Sequence, residues 1–140
     1  MIMIHLSSEP QASDSDIQQV ENAVHDFNMR LMNDWDFRPI RIFLRDDENR
    51  IQGGIMGGIW GRWFHIMFLW IDETLRKHGY GSQLLEAAEA EARSHDCTQA
   101  FLETHDFQAP DFYTRHGYEV FGVLTDYPPG HAQYFMKKAL

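Results

Sequence analysis

Residues 63–85 read WFHIMFLWIDETLRKHGYGSQLL, and this stretch decides the fold. Its first part, residues 63–71, is almost entirely apolar, as expected for a central strand covered on both faces. Its last part opens an amphipathic helix predicted over residues 79–95. Between them lies the loop Arg76-Lys77-His78-Gly79-Tyr80-Gly81-Ser82. Such a loop can direct several backbone N–H groups at one anion, because glycine permits close approach and a helix start leaves N–H groups unpaired. A diphosphate is the predicted ligand, and a tight connection between strand and helix is the alternative.

The rest of the chain predicts a mixed α/β sheet of about seven strands. Helices are expected after the cap Ser13, over residues 79–95 and from Pro110 to a stop at Gly117. The strands are expected at residues 2–6, 40–45, 51–60, 63–71, 98–104, 118–124 and 131–138. In the first helix, apolar residues recur every three or four positions and are expected to cover a core; they are Ile17, Val20, Val24, Phe27 and Leu31.

Composition narrows the class of protein. The 140 residues carry 12 Lys and Arg against 21 Asp and Glu, a net charge of −9. This length predicts one domain over residues 1–140, and this charge argues against nucleic acid as a partner. No apolar run is long enough to cross a bilayer, and no basic, apolar leader begins the chain, so we expect neither membrane insertion nor secretion. The single cysteine, Cys97, favours a reducing, cytoplasmic location and is expected to be a small buried residue. The histidine spacing matches no metal-binding motif, so no metal site is expected.

Two blocks of the sequence together resemble the GNAT superfamily of N-acetyltransferases. Residues 69–81 (LWIDETLRKHGYG) resemble its acyl-CoA-binding motif, an L-x-V strand end followed by R/Q-x-x-G-x-G/A. Residues 106–118 (DFQAPDFYTRHGY) match its N-x-x-A-x-x-[LF]-Y-x-x-x-G-[FY] pattern. The predicted order of helices and strands also fits the family. The resemblance implies the GNAT fold, a mostly antiparallel sheet flanked by helices, and transfer of acetyl from acetyl-CoA to a primary amine.

The resemblance also implies which residues hold the cosubstrate. The backbone of the segment Leu69, Trp70 and Ile71 would pair with the pantetheine arm, where this strand splays from the one at 98–104. The amides of residues 76–82 would hold the pyrophosphate, with the Ser82 hydroxyl as a further donor. The sequence departs from the family at Asp106, where asparagine is usual, because an ionised carboxylate only accepts hydrogen bonds. Gln108 is the candidate for the missing amide.

Three residues are candidates for the chemical step. An alkylammonium with a pKa near 10.4 costs about 4.6 kcal/mol to deprotonate at pH 7, so a base is useful. His65 is one candidate, because some enzymes of the GNAT superfamily have a base on this strand. Its side chain is expected on the same strand face as those of Leu69 and Ile71. Glu103 is the second, as a base or as a partner of a cationic acceptor. The family often has a tyrosine near the thioester sulfur, which makes Tyr113 the candidate proton donor to the leaving thiolate. Each of the three also has a purely structural interpretation.

The leading functional hypothesis is direct acetyl transfer to a small cationic amine, a lysine or an N-terminal amine, in a ternary complex. Seven acids precede residue 38 and face only Arg30; they are Glu9, Asp14, Asp16, Glu21, Asp26, Asp34 and Asp36. This charge favours a cationic acceptor. A weakly catalytic CoA-binding regulatory module and a toxin-like acetyltransferase of aminoacyl-tRNA are the alternatives, and the second would require a basic surface. The family's closing strands often meet a second copy, so a homodimer is also considered.

Overall fold

The computed structural model describes residues 1–32 and 37–140, which fall into two compact units, residues 1–35 and residues 36–140. The first unit contains one helix, α1 (Asp14–Leu31), which begins as predicted: the Asp16 N–H donates to the Ser13 hydroxyl over 3.1 Å. No helix in the described part of the chain is long and apolar enough to cross a membrane. Asp34 and Asp36, two of the acids counted in the sequence, lie outside the described residues.

Two expectations for this unit are wrong. Residues 2–6 are exposed and form no strand. Within this unit, the apolar stripe of α1 has no core to cover, since none of its residues is buried. The physical reason is common to both. A strand needs a hydrogen-bonded neighbour and an apolar helix face needs a packing partner, and the described part of this unit supplies neither.

The second unit is built on one six-stranded sheet with the order β1-β2-β3-β4-β6-β5. Its strands are β1 (Phe37–Arg45), β2 (Ile51–Trp60), β3 (Trp63–Ile71), β4 (Gln99–His105), β5 (Glu119–Thr125) and β6 (Ala132–Ala139). Its helices are α2 (Tyr80–Ser94), α3 (Pro110–Arg115) and a 3₁₀ turn (Glu73–Leu75). Only β3 and β4 run parallel, and all other neighbours are antiparallel. The predicted fold class is therefore confirmed.

The core lies on one face of this sheet, beneath α2. Leu85, Ala88 and Ala92 of the helix are completely buried and belong to one apolar cluster with Phe64 of β3 and Ile55 of β2. Cys97 is buried in the same cluster, as expected, and burial raises the pKa of its thiol. Within this unit, no described element covers the opposite face of β3, where Trp63, Phe68 and Trp70 are exposed. The expectation that β3 is covered on both faces is therefore wrong within this unit.

A β-bulge in β3 changes which residues share a face. Met56 of β2 pairs with Phe68 while the next residue, Gly57, pairs with Ile66, so Met67 is left without a partner. A Cβ atom on Gly57 would collide with the carbonyl oxygen of His65, which explains glycine opposite the bulge. One extra residue reverses the alternation of side chains beyond it.

The consequence concerns His65 directly. Phe64 and Ile66 face the core before the bulge, and Leu69 and Ile71 pack against the core after it. His65 therefore lies on the opposite face from Leu69 and Ile71. The expectation that these residues share one face is wrong, because it assumed uninterrupted alternation.

Candidate active site

The candidate site is the gap that opens where β3 and β4 separate. The two strands are paired only from Trp63 to Ile66 and from Gln99 to Leu102. Beyond this point a cavity of about 720 Å³ lies between them. The cavity is lined by residues 67–71 of β3, by the loop and helix start from Leu75 to Ser82 except His78, by Glu103 and Thr104 of β4, and by residues 107–109, 112, 113 and 115.

The edge of β3 that faces this gap carries backbone groups directed into it. The Asp72 N–H donates to the Gln52 carbonyl of β2 over 2.9 Å. Because backbone groups alternate in direction along a strand, those of Trp70 point the same way, and those of Leu69 and Ile71 point into the gap. The Ile71 carbonyl also accepts a 3.2 Å hydrogen bond from Arg76 Nε. An extended polar chain could hydrogen-bond to this edge as a further strand does.

At the other end of the cavity, α2 begins with free N–H groups. Gly79 is its N-cap, in the left-handed conformation with φ +82°. The first helical hydrogen bond runs from the Gln83 N–H to the Gly79 carbonyl, so the N–H groups of Tyr80, Gly81 and Ser82 precede it. No described side chain caps this end of the helix, and no acid lies in its first turn. These donors and the helix dipole favour an anion here.

The side chains of the predicted loop are arranged unequally. Arg76 and Lys77 line the cavity with the glycines, whereas His78 is exposed and lies outside the cavity lining. The Ser82 hydroxyl is 2.8 Å from His116 Nε2, at the end of α3. This hydrogen bond links the loop to the helix that carries Tyr113. The sequence patterns do not predict a role for His116, because it occupies a variable position of the second motif.

Glu103 and His65 form a pair across the strands. Glu103 Oε2 is 2.8 Å from His65 Nε2, and both side chains are about 30% exposed, at 31% and 28%. The His65 ring stacks on Phe101 with ring centres 4.2 Å apart. Glu103 lines the cavity and His65 does not. The structure thus brings both candidate bases together, with the carboxylate nearer to the gap.

Tyr113 lies on the α3 wall of the same cavity. Its ring has edge contacts with Phe112 and Tyr118, at centre distances of 5.1 and 5.9 Å. Burial raises the pKa of the Tyr113 phenol above its usual value of 10. The hydroxyl therefore keeps its proton at neutral pH and is able to donate it.

Asp106 and Gln108 have separate tasks. The Asp106 carboxylate accepts from the Ala132 N–H over 3.2 Å and lies 3.0 Å from His131 Nδ1, so it ties the loop after β4 to β6. The Gln108 carbonyl oxygen accepts from the His105 N–H over 2.8 Å. With its oxygen engaged, the amide group that Gln108 offers to a ligand is its NH₂. Gln108 lines the cavity and Asp106 is not part of the lining.

Sequence reasoning missed several lining residues, chiefly Met67, Phe68, Thr104, Phe107, Phe112 and Arg115. Met67 and Phe68 lie at the bulge in β3. The side-chain pattern of one strand alone does not show where a bulge occurs. The second motif contains three of them, Phe107, Phe112 and Arg115. These could have been predicted by assuming that the whole motif lines the gap. Among residues 1–32 and 37–140, no group of three His, Cys, Asp or Glu residues is placed to hold a metal ion.

The shape and donors of the gap fit an acyl-CoA. A strand edge with inward-facing backbone groups suits the amide-bearing pantetheine arm, and the unpaired N–H groups at the start of α2 suit a diphosphate. Arg76 and Lys77 add positive charge at the end of the cavity where α2 begins.

Comparisons with known proteins agree with this geometry. Residues 9–118 match the model of the acetyltransferase (GNAT) family. Blasticidin-S acetyltransferase of Streptomyces morookaense is 37% identical over 107 residues, 74% of this chain and 79% of that protein. The acetyltransferase Atu2258 of Agrobacterium fabrum is 29% identical over 124 residues, 86% of this chain and 90% of that protein.

Solved structures give the same result. A crystal structure of an acetyltransferase from Bacillus cereus has a TM-score of 0.87 and 36% identity, with full coverage of both chains. A Bacillus anthracis structure solved with acetyl coenzyme A shares the fold, with a TM-score of 0.65 at 20% identity over 74% of this chain and 63% of that one. The chain therefore belongs to the GNAT family and is an acetyl-CoA-dependent N-acetyltransferase.

Proposed function

We propose that this enzyme acetylates a primary amine of a small cationic molecule by direct attack in a ternary complex. Acetyl-CoA supplies the activated acetyl group. The name of the 37% identical relative, blasticidin-S acetyltransferase, supports a small-molecule acceptor over a protein. The net charge of −9 supports a cationic one.

Glu103 is the general base in this proposal. A carboxylate beside the gap can accept the proton of the incoming ammonium and leave a neutral amine. His65 acts through Glu103 as a positioning residue: its Nε2–H donates to Glu103 Oε2 over 2.8 Å and leaves the other carboxylate oxygen for the acceptor. The stacking of His65 on Phe101 holds this orientation.

Tyr113 is the general acid. In the balanced step a bond forms between the amine nitrogen and the acetyl carbon, and the bond from that carbon to sulfur breaks. Glu103 first passes the ammonium proton to solvent; during transfer the nitrogen loses a second proton to Glu103 and the sulfur receives one from the Tyr113 hydroxyl. Solvent then takes the proton from Glu103 and returns one to the Tyr113 phenolate. The Tyr113 phenol, whose pKa burial raises above 10, is protonated at neutral pH and so is present as the donor.

Among the cofactor contacts, we propose that the backbone of Leu69 and Ile71 holds the pantetheine arm. The loop from Arg76 to Ser82 holds the diphosphate, with Gln108 as an added amide donor. For Trp70, we assign only the wall of the cavity, because its backbone points toward β2. For His78, we assign no contact, since it lies outside the cavity lining.

One observation carries the proposal: a single cavity contains the free helix start, the splayed strand edge, Glu103 and Tyr113. The first test is acetyl-CoA-dependent release of free thiol with a panel of amines. The panel contains blasticidin S, streptothricin, a polyamine and a lysine peptide. We expect a small molecule to be acetylated, and acetylation of the peptide alone would refute the small-molecule acceptor.

A second test separates the roles of the paired residues. Glu103→Gln should lower kcat about 100-fold, while Glu119→Gln, a matched change on exposed β5, should leave it unchanged. His65→Leu should lower kcat and His65→Gln should restore most of it, because glutamine can still donate to Glu103. A His65→Gln enzyme as slow as His65→Leu would make His65 the base.

A further inference from the structure

The loop after β4 and the turn between β5 and β6 together form an exposed group of rings, the aromatic cluster of His105, Phe107, Tyr127 and His131. His105 stacks with Phe107 and with Tyr127, at centre distances of 5.0 and 6.0 Å and with planes within about 22° of parallel. His131 meets the Phe107 ring edge-on at 5.0 Å. The rings therefore hold one another in fixed orientations.

Hydrogen bonds fix the two backbone segments that carry these rings. Asp106 contacts both the Ala132 N–H and His131, and its own N–H donates to the Ala132 carbonyl over 3.0 Å. The Tyr127 N–H donates to the His131 carbonyl over 3.2 Å, which closes the turn. The two segments that carry the rings are thus tied to each other by hydrogen bonds.

The cluster is held in place and yet is open to solvent. Phe107 is 58% exposed and Tyr127 is 54% exposed, although both rings have aromatic neighbours. Single exposed rings are ordinary, but a contiguous exposed group of aromatic rings is often a binding surface.

The cluster is continuous with the candidate active site. Phe107 lines the cavity together with Glu103. Along β4, Leu102 and Thr104 are buried on the core side, so Glu103 and His105 project from the other face, two residues apart. A molecule whose amine reaches Glu103 therefore has the aromatic cluster beside it.

We propose that this cluster binds the acceptor through a flat, delocalised cation, such as a guanidinium or an amidinium, carried at a distance from the reacting amine. Such a cation stacks on ring faces and is weakly hydrated, whereas an ammonium is strongly hydrated and has no flat face. Asp106 is 35% exposed at the edge of the cluster and adds negative charge. This inference names the acceptor class and rests on the proposed function for the location of the reacting amine.

The test compares two amines that differ in their second cation. Agmatine carries a guanidinium and 1,5-diaminopentane an ammonium, each separated from a primary amine by a short alkyl chain. Calorimetry at pH 8 measures the binding of each to the full-length protein saturated with CoA. The variants are Phe107→Leu and Tyr127→Leu. Phe121→Leu, at an exposed phenylalanine of β5 outside the cavity, is the matched control.

We expect agmatine to bind about 10-fold more tightly than 1,5-diaminopentane, and Phe107→Leu to remove this difference. Tyr127→Leu should reduce the difference, and Phe121→Leu should keep it. Far-UV circular dichroism and the denaturant midpoint should be unchanged in all three variants, which shows that the fold is intact. Equal binding of both amines, no binding of agmatine, or a preference that survives Phe107→Leu would overturn the inference.

A separate assay of thiol release from acetyl-CoA, with the same variants and amines, separates this inference from the proposed function. Agmatine binding that depends on Phe107 without thiol release from acetyl-CoA would refute the catalytic proposal and leave the recognition site standing. Acetylation of both amines with equal kcat/KM would refute the recognition site and leave the catalytic proposal standing.

Discussion

Replacing Gly79 with valine should weaken the binding of CoA by more than its effect on the stability of the fold explains. Gly79 has φ +82°, and a Cβ atom built there meets no other atom, so the cost is in the backbone alone. For a residue other than glycine this conformation costs about 1–2 kcal/mol, and more for a β-branched one. The loop of the variant either keeps this conformation at that cost or changes to a less strained one.

The effect on CoA follows from relaxation of the loop. Gly79 sets the direction of the free N–H groups of Tyr80, Gly81 and Ser82. A hydrogen bond to a charged group contributes about 1.5 kcal/mol or more, so loss of two of them costs about 3 kcal/mol. CoA affinity should therefore fall about 100-fold, since each 1.4 kcal/mol is a factor of ten.

The control is Gly61→Val, in the turn between β2 and β3. Gly61 has φ +61° and open space around its Cβ position, as Gly79 does, but it lies outside the cavity lining. Denaturant unfolding should show similar losses of stability for both variants, and calorimetry with CoA should show weaker binding for Gly79→Val only. Unchanged CoA affinity in Gly79→Val, or an equal loss in both variants, would refute the assignment of the diphosphate to this loop.

Three further predictions concern Tyr113, Tyr118 and Glu89. Tyr113→Phe should lower kcat about 100-fold in the thiol-release assay and leave CoA affinity within about twofold; an equally active variant would make Tyr113 a packing residue. Burial and the neighbouring Glu89 raise the pKa of Tyr118, so its stabilising effect is complete below pH 10 and is lost as the pH rises above that value. Denaturant midpoints from pH 8 to 11 should therefore fall more steeply for the wild type than for Tyr118→Phe. Glu89 is buried and lies 2.7 Å from Lys138 Nζ, so Glu89→Ala should destabilise the protein by about 3 kcal/mol, whereas the pair replacement with Lys138→Met should recover part of this loss.

Much of the fold and the site could be predicted because the signals are local. The start of α2 is encoded by Gly79 and the residues around it, and the short α3 by Pro110 at its first position and Gly117 after its end. Strands β1 to β3 follow from alternation and turn residues within about thirty positions. The second motif contains Tyr113, and the strand predicted at residues 98–104 contains Glu103; both residues line one cavity.

The remaining features depend on contacts between distant segments. The bulge at Met67 exists only because β2 and β3 pair with unequal numbers of residues, and it sets His65 on the face opposite Leu69 and Ile71. The approach of His65 to Glu103 joins residues 38 positions apart. A single-strand pattern has a period of two and carries no information on a skipped partner or on which neighbour a side chain meets. Local sequence patterns therefore predict the family, the loop at the start of α2 and the candidate residues, whereas the pairing of distant segments sets how those residues face one another.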